Sequence, residues 1–183
     1  TDLKAILAYS TICALGILTF LTGLGSYEAL VAAMVFIVVH ALYKASLFLI
    51  TGIIDHETGT RDITKLSGLK QGLMPIAVAG FVAALISGGV IPTLGFVGKD
   101  LIYESTLHFK NNAWLLTGIA IATNILLFYG GFLVGVKPFL GKKPETLPHL
   151  HMPSIRLWLP PMLMVLLGLV LGFMPYLLGD SLI

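Results

Sequence analysis

In a chain of 183 residues that is 57% hydrophobic and only 11% charged, too few polar side chains exist to coat a water-soluble globule. The net charge of +2 is small and scattered, which argues against a nucleic-acid surface, and the single cysteine, Cys13, rules out an internal disulfide. The composition is that of a membrane protein.

Five apolar segments follow in chain order, at about 5–25, 29–54, 74–109, 113–136 and 157–179. At ~1.5 Å per residue each is long enough to cross a hydrocarbon core of roughly 30 Å, and helices are the default because unpaired backbone cannot sit in lipid. The expected architecture is an all-α, polytopic integral membrane protein of about five transmembrane helices, one membrane domain over 1–183. The first segment lacks the basic lead-in and cleavage site of a signal peptide, and the chain opens at Thr1 with Asp2, so it reads as a segment of a longer polypeptide.

The second segment carries His40 and Lys44 within an otherwise uncharged run from Ala29 to Ile54. Residues four apart share one helix face. Lys44 lies too deep for its side chain to snorkel to the interface, and intramembrane ionisable groups mark ion or proton pathways. Histidine titrates near neutrality, so the pair can pass a proton along. A packing role for His40 remains the alternative.

The third segment is too long for one straight crossing and contains Gly88, Gly89, Pro92 and Gly95, a set that predicts a broken helix near Gly88–Gly95. Such breaks occur at membrane depth where protein or water meets the freed backbone groups. Beyond it lies Lys99, which is intramembrane if the chain jogs at the break and interfacial, paired with Asp100 or Glu104, if the helix runs straight. Asp100, Glu104 and His108 recur every four residues and line one face. That face is either an exit path for protons or cations, or a solvated tail.

With five crossings, Lys4, Arg61, Lys65, Lys70, Lys137, Lys142, Lys143 and Arg156 fall on one side and Lys110 on the other. The imbalance predicts that the loops at 55–73 and 137–156 are cytoplasmic. Lys4 by itself reads as a cytoplasmic anchor, and Glu28 as a helix-start charge favoured by the macrodipole. Tyr9, Ser10, Thr11 and Asn124 are candidates for hydrogen bonds between helices. The patterns Asp55-His-Glu57 and His149-Leu-His151 lack further donors and do not amount to a metal site, and no cofactor fingerprint is present.

Three stretches resemble, in order and spacing, the antiporter-like subunits shared by the membrane arm of respiratory complex I and the Mrp-type cation/proton antiporters. They are Asp2-Leu-Lys-Ala-Ile-Leu-Ala-Tyr-Ser-Thr11, His40-Ala-Leu-Tyr-Lys-Ala-Ser-Leu-Phe-Leu49 and Gly95-Phe-Val-Gly-Lys-Asp100. The loop from Thr51 to Asp62 and the run from Gly95 to Glu104 look most like the A-type subunits of the Mrp branch, and the match weakens from Ala113 onward. The resemblance implies inverted five-helix repeats, each with a broken helix and a half-channel joined to a polar axis at the midplane. By similarity Lys4 belongs to that axis, His40 and Lys44 match the central histidine and lysine, and Lys99 is the lysine at the break. Phe36 stands where many complex I relatives carry a second histidine, which favours water between Lys4 and His40.

The resulting expectation is a subunit of a multisubunit Na⁺/H⁺ antiporter in the plasma membrane, a secondary transporter component rather than an enzyme. Its partners would be other subunits, the lipid bilayer and the transported Na⁺ and H⁺, with no nucleic acid and no cofactor. Protons would pass between Lys4, His40, Lys44 and Lys99. The alternatives are a proton-pumping subunit of complex I or a related hydrogenase, and a structural scaffold whose buried charges are locked in salt bridges.

Overall fold

Two capped turns set the first hairpin of the computed structural model, which describes residues 2–109, 111–144, 147 and 150–174. Lys110, His149 and the final residues of the fifth predicted span (175–179) lie outside them. Helix α1 (Leu3–Leu24) begins at Asp2, whose carboxylate accepts the Ala5 N–H at 3.1 Å, and stops at Gly25 with φ 68°. Helix α2 (Tyr27–Thr58) begins at Ser26, which caps the Ala29 N–H at 3.2 Å, and ends at Gly59. At 32 residues α2 is roughly 48 Å long, so it overruns the hydrocarbon core that its apolar stretch fills.

The third predicted span is two helices, α3 (Met74–Gly88) and α4 (Leu94–Leu107), and each is too short to cross alone. Gly89, at φ 70°, closes α3 in a Schellman pattern: its N–H reaches the Ile86 carbonyl at 3.1 Å while that of Val90 reaches Leu85 at 3.1 Å. The chain then turns through Val90–Thr93 and restarts, with the Phe96 N–H on the Thr93 carbonyl at 3.0 Å. The glycine–proline set thus produces the break where its spacing places it. Helices α5 (Ala113–Gly135) and α6 (Ile155–Phe173) complete the set, with Pro160 and Pro161 inside α6. There, Ser46 of α2 donates to the Pro161 carbonyl at 3.1 Å. Among the described residues, α1, α2, α5 and α6 are long and apolar enough to cross a membrane, and α3 is a shorter apolar helix.

Helix α2 runs through the middle, packed by α1, α3, α4 and α6. The main core joins Leu7, Leu47, Ile50, Ile76, Ile86, Leu94 and Val165, all buried; a second cluster around Ala14, Leu21, Ala32 and Phe36 seals α1 against α2.

One end of the bundle gathers the loops. The Leu3 N–H donates to the Arg61 carbonyl at 3.0 Å, Gly68 to Leu140 at 2.7 Å, and the Ser67 hydroxyl to the Lys142 carbonyl at 2.7 Å. The start of α1, the end of α2, the start of α3 and the end of α5 therefore share that end, which matches the grouping of basic residues made by counting the broken pair as one crossing. Arg61 lies 3.4 Å from the Asp2 carboxylate and 3.7 Å from that of Asp55. All three side chains are more than a third exposed, so the clamp is solvent-screened. Arg61→Ala is expected to cost less than about 1 kcal/mol, with the difference from wild type shrinking in high salt, as read from thermal unfolding in detergent.

Candidate functional site

Lys44 is 7% exposed, in the heart of the bundle. Its amine donates to the Ser10 hydroxyl at 2.6 Å and lies 3.4 Å from the Leu7 carbonyl, both on α1. The Ser10 hydroxyl in turn donates to Leu7 at 2.9 Å, so one carbonyl anchors both. No carboxylate approaches the Lys44 amine within 4 Å among the described residues, nor does one approach that of Lys99. Both amines are held by neutral oxygens.

Lys99 sits on the first turns of α4 and reaches back across the break, donating to the Gly88 carbonyl at 3.0 Å. That carbonyl belongs to the last residue of α3 and has no turn of helix after it to bond. The break therefore creates the acceptor that holds the lysine. It also creates the packing: Gly95 is pressed against the Ile86 carbonyl, leaving no room for a Cβ. Lys99 reaches the break and pairs with neither Asp100 nor Glu104 among the described residues.

His40 is half-buried one turn before Lys44, yet it does not bond to it. Its Nδ1 is 2.8 Å from the Tyr43 hydroxyl, and the two rings meet edge-on with centroids 5.1 Å apart. Tyr43 is 3% exposed. Sequence reasoning alone gives this tyrosine no role. Its three-residue spacing from a histidine on one helix is the signal that could have found it.

The remaining candidates are spread out. Lys4 is exposed on the first turn of α1, about a turn and a half along the helix from Ser10. Asp100, Glu104 and His108 share an exposed face of α4, while Gly95, Gly98, Ile102, Ser105 and Thr106 form the face it buries. Near its end, His108 and Ser105 border a cleft of about 410 Å³ with Ser26, Glu28, Phe109 and Asn111. Asn124 of α5 donates to the Tyr103 hydroxyl of α4 at 3.1 Å, a bond between helices. Among the described residues Thr11 bonds within its own helix, to Leu7, and Tyr9 is 74% exposed.

The chain as a whole is similar to known proteins. A protein of Rhizobium meliloti (strain 1021), named as the A/B subunit of a probable K(+)/H(+) antiporter, is 41% identical over 180 residues, covering 95% of this chain and 18% of its own. The A1 subunit of a Na(+)/H(+) antiporter of Staphylococcus aureus (strain JH9) is 35% identical over 206 residues, covering 100% of this chain and 26% of its own. Among solved structures, a chain of the Mrp complex from Dietzia sp. DQ12-45-1b matches with a TM-score of 0.82 and 38% identity, over 99% of this chain and 20% of that one. The chain therefore spans only a minor part of the relatives it matches. The transmembrane family described as NADH:quinone oxidoreductase/Mrp antiporter matches residues 1–126, well over half of the sequence, and the chain is an integral membrane protein that belongs to this family.

Proposed function

We propose that this chain is part of the A-type subunit of a multisubunit monovalent cation/proton antiporter and carries one arm of its proton relay. The observation that carries the reading is the Lys44 amine, buried between α1 and α2 on a serine hydroxyl and a carbonyl, with no carboxylate within ion-pair distance among the described residues. An amine so placed can give up and regain a proton without breaking a salt bridge. A structural scaffold would instead hold its lysine against a fixed carboxylate. Of the energy sources open to the family, cation exchange is favoured by the relatives at 35–41% identity, which are named as antiporter subunits.

In this reading protons move among Lys4, His40, Lys44 and Lys99, with Lys99 controlling passage at the broken helix and Asp100, Glu104 and His108 leading to the far side. The loops at 55–73 and 137–156 face the cytoplasm across the plasma membrane, in keeping with the concentration of Lys and Arg there. Na⁺ is the proposed counter-ion and the rest of the antiporter the proposed partner. Each charge that crosses also samples the membrane potential, worth ~2.3 kcal/mol per 100 mV.

The test uses the whole antiporter complex in everted membrane vesicles, with cation-dependent collapse of a pH gradient as the readout. Lys99→Ala is expected to lower exchange by on the order of 10²-fold, in the range for removal of a positioned proton-transfer group. Lys99→Arg, which keeps a charge but scarcely releases its proton, is expected to rescue assembly and not exchange. Wild-type exchange in Lys99→Ala would overturn the role given to that residue.

A further inference from the structure

Where α3 begins and α5 ends, the flank of the bundle carries a groove that the relay does not use. Its volume is about 210 Å³, and Lys70, Met74, Ala77, Val78, Phe81 and Leu140 are among the residues that line it. Glycine creates it. Gly80 of α3 and Gly135 of α5 press backbone to backbone, so that a Cβ on either would meet the carbonyl of the other. Beside that contact Ala77 is too small to fill the furrow between the helices. Met74, Val78 and Phe81 recur at helical spacing along one side over about 10 Å, and they are 61%, 44% and 51% exposed.

The mouth of the groove is basic. Lys70 lines it from the short turn Leu69–Gln71. A second short turn, Lys137–Phe139, packs against the first, and its exposed Lys137 lies in sequence between two lining residues, Val136 and Phe139. Among the described residues no carboxylate comes within 4 Å of either amine, and the nearby acids Asp2 and Asp55 are drawn to Arg61 instead. The groove cannot seat a helix, since one turn about 11 Å across and about 5.4 Å tall fills roughly 500 Å³. An apolar furrow under a cationic rim is complementary to a narrow hydrocarbon chain that ends in a negative charge.

We infer that this groove is a binding site for an anionic phospholipid, with one acyl chain lying between α3 and α5 and the headgroup phosphate at Lys70. The inference goes beyond the relay reading and draws on the orientation given there only for the leaflet. With the loop end cytoplasmic, Lys70 stands one turn before the apolar start of α3, at the level of the inner headgroups, where anionic lipids concentrate. The bound lipid braces the first half of the broken helix, whose far end supplies the carbonyl that holds Lys99.

The experiment uses the complete complex in detergent and a phosphatidylglycerol probe with a photoactivatable diazirine on one acyl chain. Adducts are mapped by peptide mass spectrometry while unlabelled phosphatidylglycerol or phosphatidylcholine competes. Labelling is expected on the stretches 74–81 and 136–140. Phosphatidylglycerol should displace the probe on the order of tenfold more effectively than phosphatidylcholine, and Lys70→Gln should cut that preference about fivefold, the effect of one lysine beside an anionic headgroup. Lys65→Gln, at an exposed lysine of the same end that does not line the groove, should leave the preference unchanged. Equal displacement by the two lipids would mean ordinary lipid contact only, and no label on these stretches would mean that another subunit covers them. Either result overturns the inference, as does an equal fall in Lys65→Gln. The comparison of the two lipids on the wild type needs no variant, so it stands even if Lys70→Gln fails to assemble. Lys44→Ala should bind the probe as the wild type does, so this inference and the relay fail separately.

Discussion

Replacing Lys44 by Ala is expected to abolish exchange by the complete antiporter, a loss on the order of 10²-fold or more, while the complex still assembles. The reason begins with what the side chain touches. Its amine is bonded to Ser10 and lies near the Leu7 carbonyl, both on α1, and these are neutral groups. Removing the amine therefore strands no buried counter-charge, the outcome that makes deletion of one member of a buried ion pair so damaging. Ser10 keeps its bond to Leu7. The cost to folding is that of a truncated side chain in a packed bundle, up to a few kcal/mol, whereas the cost to transport, on the role proposed for Lys44, is the whole relay. Amount of assembled complex and rate of exchange should consequently separate. Exchange that falls only in proportion to the amount of complex would show Lys44 to be a packing residue.

The same contrast bears on what the sequence discloses. Lys44 is conspicuous because a cation in an apolar run of that length has no cheap place to be. Its partner is not, because Ser10 lies 34 residues away and only tertiary packing brings α1 beside it. The break was legible because glycine and proline act locally: Gly89 takes a left-handed conformation at the end of α3, and the restart follows within a few residues. The true end of α2 was not, since hydropathy marks where lipid stops and not where the helix does. The helix continues through Asp55-His-Glu57 until Gly59 turns the chain. Periodicity likewise put Asp100, Glu104 and His108 on one face, but period alone does not say which face looks inward. The small residues of α4, Gly95 and Gly98, settle it by letting that side approach α3 and α2.

That close approach is the basis of a second large effect. Gly95→Ala is expected to weaken the fold and exchange together, with Gly95→Val worse, even though alanine is the better helix former. In a helix interior exposed to solvent the exchange of Gly for Ala gains roughly 0.5–1 kcal/mol. At Gly95 the new methyl would collide with the Ile86 carbonyl, a backbone group that cannot rotate out of the way. Overpacking of this kind typically costs about 1–3 kcal/mol, occasionally more. The steric term outweighs propensity, and relief can come only by moving α4 away from the end of α3. Such a shift also draws Lys99 off the Gly88 carbonyl, so on the role proposed for Lys99 transport is expected to fall beyond what lost stability explains. Gly118 supplies the internal comparison: nothing among the described residues lies within 4 Å of the position its Cβ would occupy, so Gly118→Ala is expected to show only the propensity gain. Thermal unfolding of the detergent-solubilised complex should move in opposite directions for the two alanine variants. If both moved upward, the contact between Gly95 and Ile86 would not be what fixes the geometry of the broken helix.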